Sequence, residues 1–259
     1  MQASPATVRS LFDIPLVSTA AFKHTILSAQ PQSAERVFVT SGTSRGEATR
    51  GRHFVSDLAL YRASAVAHMR RMLFPEGRRM PLLALHPTAD RLPESSLSQM
   101  LTWAFEAFGA ADSCCCATQR GVDVEAAARF LANTRSQGEP VGILGTTAAF
   151  AVLFDFLRQS GSRLRLAAGS RLMDTGGAKG QAIPMSSEEL TAAAHDYLGI
   201  ASELVINEYG MTELCSQLYD ATPFNTPYLR PQAARVKLPP PWLHVSARDP
   251  VTMRPVPPG

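Results

Sequence analysis

The chain reads as an α/β protein built on a mainly parallel sheet flanked by helices. Three observations carry that expectation. From Arg36 onward, short apolar runs alternate with longer amphipathic stretches; the apolar runs have the length of buried strands; and no internal repeat or low-complexity tract interrupts the alternation. With 259 residues, 45% hydrophobic and 18% charged, the chain is long and apolar enough to bury a substantial core.

The strands expected, in order, are Arg36 to Val39, Leu82 to His86, Ser113 to Ala117, Val141 to Leu144, Leu164 to Ala168, and Glu203 to Asn207. Helical periodicity fills the intervals between them. Asp57 to Leu73 can set Leu60, Tyr61, Ser64, Ala65 and Met69 on one face, and Val124 to Ser136 does the same around Ala127, Ala128 and Leu131. Ser95 to Phe108, Ala148 to Gln159 and Ser187 to Leu198 complete the helices, the last opened by Ser186 and Glu189 at capping-box spacing. After Asp220 the composition shifts. Ten of the 19 prolines fall between Pro223 and Gly259, which excludes a long helix and leaves extended connections around an expected strand at Trp242 to Val245. The expected organisation is lead-in helices and loops over 1–35, an α/β core over 36–220, and a proline-rich segment over 221–259 that begins a further subdomain. The closing Pro257-Pro258-Gly259 is a turn signal, which reads as the edge of a fragment.

Composition excludes several classes. A net charge of +3, from 25 basic and 22 acidic side chains spread evenly, gives no footprint for a nucleic acid. The four cysteines, Cys114, Cys115, Cys116 and Cys215, lack the spacing of a disulfide framework or a structural zinc site, so a reducing cytoplasm is the expected location. No secretory signal opens the chain. Its longest uncharged run, Pro140 to Phe154, has fifteen residues and is broken by Gly142 and Gly145, short of the roughly 20 apolar residues a membrane span needs.

Three segments could carry chemistry. Val37 to Thr40 runs into Ser41-Gly42-Thr43-Ser44-Arg45-Gly46, where small hydroxylated residues and glycines let backbone N–H groups approach phosphate oxygens, with Arg45, Arg50, Arg52 and His53 close behind. A Ser/Gly surface loop has the same composition, and this is not a Walker A loop. Asp174-Thr175-Gly176-Gly177-Ala178-Lys179-Gly180 groups three glycines around one of only three lysines, an anion-binding loop or a solvated one. Val205 to Cys215 is an apolar strand that ends in Tyr209-Gly210-Met211-Thr212-Glu213 and turns at Gly210 into an expected helix. There Tyr209 offers a ring face, Thr212 a hydroxyl and Glu213 a hard oxygen ligand suited to Mg²⁺.

Together these strings resemble the adenylate-forming superfamily of acyl- and aryl-CoA ligases. Thr40-Ser41-Gly42-Thr43-Ser44 matches its phosphate loop, and Tyr209-Gly210-Met211-Thr212-Glu213 matches its Y-G-x-T-E motif in full. The longer strings Arg50-Gly51-Arg52-His53, Asp57 to Tyr61, Asp174 to Gly180 and Asn207 to Gln217 resemble acyl-protein synthetases of the LuxE type. The resemblance implies the large N-terminal domain of an adenylate-forming enzyme, without the small C-terminal domain. It implies ATP-dependent activation of a carboxylic acid, a fatty acid above all, as acyl-AMP for transfer to a thiol or hydroxyl of a protein such as an acyl reductase. The alternatives are an aryl- or acyl-CoA ligase and a non-catalytic remnant or nucleotide-binding subunit.

Carried over by position, the resemblance assigns Thr40, Ser41, Gly42, Thr43 and Ser44 to the phosphates of ATP. Gly176, Gly177, Lys179, Glu208, Tyr209, Gly210, Met211 and Thr212 would hold the nucleotide, with Tyr209 stacked on adenine and Thr212 at the α-phosphate. Thr212 and Glu213 would be catalytic, with Glu213 on Mg²⁺. Arg45 interrupts the usual phosphate loop, which also lacks its lysine, so Arg45 or Arg50 would supply that charge. The acid is expected at the ends of the middle strands, near His86, Gly145 and Thr146, although a lone histidine there is more often structural. The apolar helix from Ala148 to Leu157 reads as core before acyl tunnel, Cys215 as a buried thiol before acyl acceptor, and Lys237 has no match to the family's mobile-domain lysine.

Overall fold

Arg36–Val39 (β1) forms where expected, but it pairs antiparallel with Arg52–Val55 (β2) in a two-stranded ribbon apart from the main sheet. The structure, a computed structural model, describes residues 6–40, 50–176, 184–222 and 235–256. A short helix, Ala21–His24 (α1), precedes the ribbon within the lead-in segment.

Each longer helix starts at a side chain that satisfies an otherwise orphaned backbone N–H. Asp57 caps Leu58–Leu73 (α2), Ser95 caps Ser96–Phe108 (α3), Asp123 caps Val124–Gln137 (α4) and Thr146 caps Thr147–Gln159 (α5). Ser186 and Glu189 form the expected capping box of Ser187–Ala193 (α6). A π-helical turn, Ala194–Leu198, continues α6 and ends at Gly199, whose φ of +69° suits a residue without Cβ.

The main sheet has seven strands: Leu82–Ala84 (β3), Cys114–Cys115 (β4), Gly142–Thr146 (β7), Arg171–Thr175 (β8), Val205–Gly210 (β9), Gln217–Asp220 (β10) and Lys237–Leu238 (β11). Their spatial order is β11-β10-β9-β8-β7-β3-β4, parallel from β4 to β9 and antiparallel at β10 and β11. Ala117–Thr118 (β5) and Gly121–Val122 (β6) form a separate small hairpin. Along the parallel strands, alternate side chains enter two cores. Leu82, Ala84, Leu144, Met173 and Ile206 pack with α2 and α3, whereas Leu83, Ile143, Leu172 and Val205 pack with α4, α5 and α6. The helix that could have been an acyl tunnel is thus core, with Phe150, Leu153, Phe154 and Leu157 buried.

Four expectations need correction. Leu164 to Ala168 is not a strand: Leu164 and Leu166 donate their backbone N–H groups at 2.7 Å to Tyr197 and Leu198, docking on the end of the π turn instead of the sheet. The fourth parallel strand is β8. Its apolar centre is masked in sequence by Arg171, which is buried and paired with Glu76 Oε1 at 2.8 Å, and by buried Asp174. No helix follows Gly210. A turn from Met211 to Leu214, with Cys215 at φ +49°, folds the chain back into β10. Trp242 to Val245 is likewise not a strand: Leu243 closes a turn onto Pro240, and Trp242 Nε1 donates to Ser64 Oγ at 2.8 Å. Leu60 leaves the apolar face assigned to it and is 73% exposed, while Tyr61, Ala65 and Met69 are buried. Among the described residues no helix is long and apolar enough to cross a membrane.

Candidate active site

The parallel strands end together at one edge of the sheet, which is where open α/β sheets hold ligands. A cavity of about 310 Å³ opens there, lined by Thr146 from β7, Thr175 and Gly176 at the end of β8, and Glu208 and Gly210 from β9. Met211, Thr212 and Gln217 continue the wall from the turn into β10, and Arg50, Tyr61, His86 and Ser96 close it.

Most sequence-predicted residues within the described regions converge on this space. Thr40 follows β1, and there its Oγ1 accepts from Gly51 N at 2.8 Å and its carbonyl accepts from Arg50 Nε at 2.7 Å, so the start of the expected phosphate loop is tied to a cation that lines the cavity. Gly176, Glu208, Gly210, Met211, Thr212, His86 and Thr146 all line it. Thr212 is held twice. Its carbonyl accepts from His53 Nδ1 at 2.7 Å, which puts the proton on that nitrogen, and its Oγ1 lies 3.5 Å from Ser96 Oγ.

Other expected residues stand elsewhere. Tyr209 is 52% exposed beside the cavity, with its ring free to meet a planar group. Gly145 is a packing residue within β7, where an added Cβ would lie 3.0 Å from Leu85 Cβ. Glu213 lines a neighbouring apolar groove with Leu60, Trp242 and Leu243. Among the described residues no group of three metal-ligating side chains occurs. Ser41, Gly42, Thr43, Ser44, Gly177 and Lys179 lie outside the described residues.

The structure also brings in residues that sequence reasoning passed over. Thr175 Oγ1 donates to Glu208 Oε2, and Tyr61 Oη donates to Ser96 O at 3.2 Å. Burial pushes the Glu208 carboxyl up to about 7, opposed by the Thr175 hydrogen bond and by Lys237. Burial also pulls His86 down to about 4, which leaves a neutral imidazole. The signal that would have found Thr175 is the two-residue period: it shares the α2/α3 face of the sheet with Met173, Ile206 and Glu208.

On the opposite face a larger cavity of about 970 Å³ meets the first at Gly176. Asp174 there accepts from Thr147 Oγ1 at 2.9 Å and Asn207 Nδ2 at 3.0 Å, and its burial raises its pKa above the ordinary carboxylate range. Lys237 pairs with buried Asp220 at 2.8 Å and donates to Asn207 Oδ1 at 2.5 Å; Arg235 reaches the other Asp220 oxygen at 2.9 Å. Lys237 is therefore built into the sheet edge.

The fold is an α/β one, a mainly parallel sheet with a cleft at its strand ends rimmed by this glycine and threonine set. The chain belongs to the acyl-protein synthetase family, LuxE, whose pattern matches residues 5–259. Its structure is similar to a 2-hydroxyisobutyryl-CoA ligase in the postadenylation state in complex with R3-HIB-AMP, with a TM-score of 0.50 and 16% identity over 84% of this chain and 44% of that one. It is also similar to an ATP-bound RpMatB-BxBclM chimera, with a TM-score of 0.54 and 14% identity over 88% of this chain and 38% of that one. The chain thus spans less than half the length of these proteins, and at such identities the likeness is one of fold. No curated protein sequence matches it.

Proposed function

We propose that the chain contributes the nucleotide- and acid-binding part of an enzyme that activates a carboxylic acid with ATP. The acid's carboxylate attacks the α-phosphorus, forming the acyl–phosphate bond of acyl-AMP as pyrophosphate leaves. The observation that carries this reading is the convergence of Arg50, Thr146, Gly176 and Gly210 to Thr212 on one cavity that adjoins the end of the phosphate-loop strand. The step brings two anions together, so the chain's work is positioning and charge stabilisation. Arg50 supplies a fixed cation, and Thr212 a hydroxyl whose backbone His53 holds in register. Tyr209 offers an exposed ring to the base, and the larger cavity beyond Gly176 has room and polar groups for a nucleoside. Glu213 would hold Mg²⁺, which supplies charge neutralisation on the phosphates.

Family membership favours a fatty acid as substrate and a protein thiol or hydroxyl as acceptor. A second reading, a small acid passed to coenzyme A, draws on the modest 310 Å³ of the acid pocket. Calorimetric titration of the purified chain with ATP and Mg²⁺ tests the common core. Saturable binding is expected, whereas its absence in a folded sample would favour the non-catalytic remnant. Radiolabelled acid then separates transfer to protein from transfer to coenzyme A.

A further inference from the structure

Three consecutive cysteines, all free thiols, stand at the outer edge of the main sheet and take no part in the proposed reaction. Cys114 and Cys115 form β4, which among the described residues pairs with β3 alone. Cys116 continues the ladder by donating its backbone N–H to the Ala84 carbonyl at 3.0 Å. The two-residue period of the strand turns Cys114 and Cys116 into the core beneath α4 and α5, and Cys115 into the opposite core. On their shared face Cys114 Sγ and Cys116 Sγ are in contact at 3.4 Å.

Two residues of extended chain separate Cα atoms by about 6.6 Å, at the upper end of the span a disulfide bridges. Adjacent cysteines on a strand point to opposite faces, so the 114–116 pair is the one set up to join. Cys114 is half-buried and Cys116 only 5% exposed, so a dissolved reagent meets Cys114 first. We propose that Cys114 and Cys116 are a reversible redox pair that closes to a disulfide on exposure to a small-molecule disulfide such as oxidised glutathione. The Cys114 thiolate attacks one sulfur of the reagent, whose S–S bond breaks to leave a mixed disulfide and one released thiolate. The Cys116 sulfur then attacks the Cys114 sulfur, and the bond from Cys114 to the reagent breaks as the protein disulfide forms. Both cysteine protons end on the two released thiols, so two protein thiols are oxidised and one reagent disulfide is reduced.

Burial and the contact with Cys114 push the Cys116 thiol up, which slows closure but also makes Cys116 a poor leaving group once the bond has formed. A bridge near the limit of its span is readily reduced, as a sensing bond must be and a structural one must not. The pair lies one contact from the strand-end cavity: Cys115, between the two, donates Sγ–H to the carbonyl of His86 at 3.5 Å, and His86 lines that cavity.

Incubating the purified folded chain with oxidised glutathione, quenching in denaturant with iodoacetamide and analysing the peptide that carries Cys114 to Cys116 by mass spectrometry tests this. The expected product has one internal disulfide and a single alkyl group, on Cys115, and dithiothreitol added before the quench should restore three alkylated cysteines. Cys115→Ala should still close the bond. Cys114→Ser should lose it, and Cys116→Ser should stop at the mixed disulfide of Cys114 with glutathione. Three alkylated cysteines in the oxidised native chain would overturn the proposal without any variant having to fold, and so would an internal disulfide in Cys114→Ser.

Discussion

Glu208 and Cys215 lie seven residues apart and behave differently: one is a buried acid whose proton matters near neutrality, the other a thiol that stays protonated. The ordinary glutamate value of 4.5 rises to about 7 for Glu208, chiefly because burial disfavours its charge. The native chain therefore holds a proton that the unfolded chain has lost, and stability falls as pH rises from about 4.5 to about 7, by up to about 3 kcal/mol. In Glu208→Gln that component of the slope should disappear, as urea denaturation near pH 5 and near pH 7.5 would reveal; an unchanged slope would remove Glu208 as its source. The Cys215 thiol is pushed up to about 12 by burial. Its sulfur lies 3.7 Å from His53 Nδ1, but that nitrogen already gives its proton to the Thr212 carbonyl and is no base for the thiol. Alkylation of Cys215 by iodoacetamide at neutral pH, followed by mass spectrometry, should be at least about tenfold slower than that of a free thiol. Fast alkylation would reopen its role as acyl acceptor.

Helix starts were legible because each depends on one or two local side chains. Asp57, Ser95, Asp123, Thr146 and Ser186 cap where a short polar residue precedes an apolar period. Ser186→Ala should cost about 1 kcal/mol in urea denaturation, because the Glu189 N–H loses the Ser186 Oγ acceptor, while the backbone N–H at position 186 still donates to the Glu189 carboxylate. Strand β8 was not legible, since Arg171 and Asp174, two of its five residues, are charged and their partners lie far along the chain. Arg171 is satisfied by Glu76 and by the Leu73 carbonyl at 2.5 Å, at the end of α2, and Asp174 by Thr147 and Asn207. The reverse error occurred at Leu164 to Ala168, where two leucines with strand spacing bury themselves under the end of the π turn. The turn after β9 was misread for a related reason. A left-handed Cys215 closes it, and cysteine gives no local sign of that conformation.

Two cores, one on each face of a single sheet, make the description of the molecule one of mutual support, and ligand binding should be felt across it. At a free ATP·Mg²⁺ concentration about 100 times the dissociation constant, the gain is about 2.7 kcal/mol, or a rise in Tm of roughly 5–10 °C for a domain of this size. Glu213→Gln should reduce that rise when Mg²⁺ is present and leave the Mg²⁺-free melting curve little changed; an undiminished rise would sink the metal role of Glu213. The sequence by itself determined the α/β class, the helix starts, and the motifs from Thr40 to Ser44 and from Tyr209 to Glu213, because periodicity, caps and motif strings are properties of neighbouring residues. Only the tertiary structure decided that Arg36 to Val39 leaves the main sheet, that β10 and β11 extend it antiparallel, and that Gln217, Thr175, Tyr61 and Arg50 meet Thr212 around one cavity. Those choices depend on which distant partners satisfy a buried charge or backbone group, and such partners exist only once the sheet has formed.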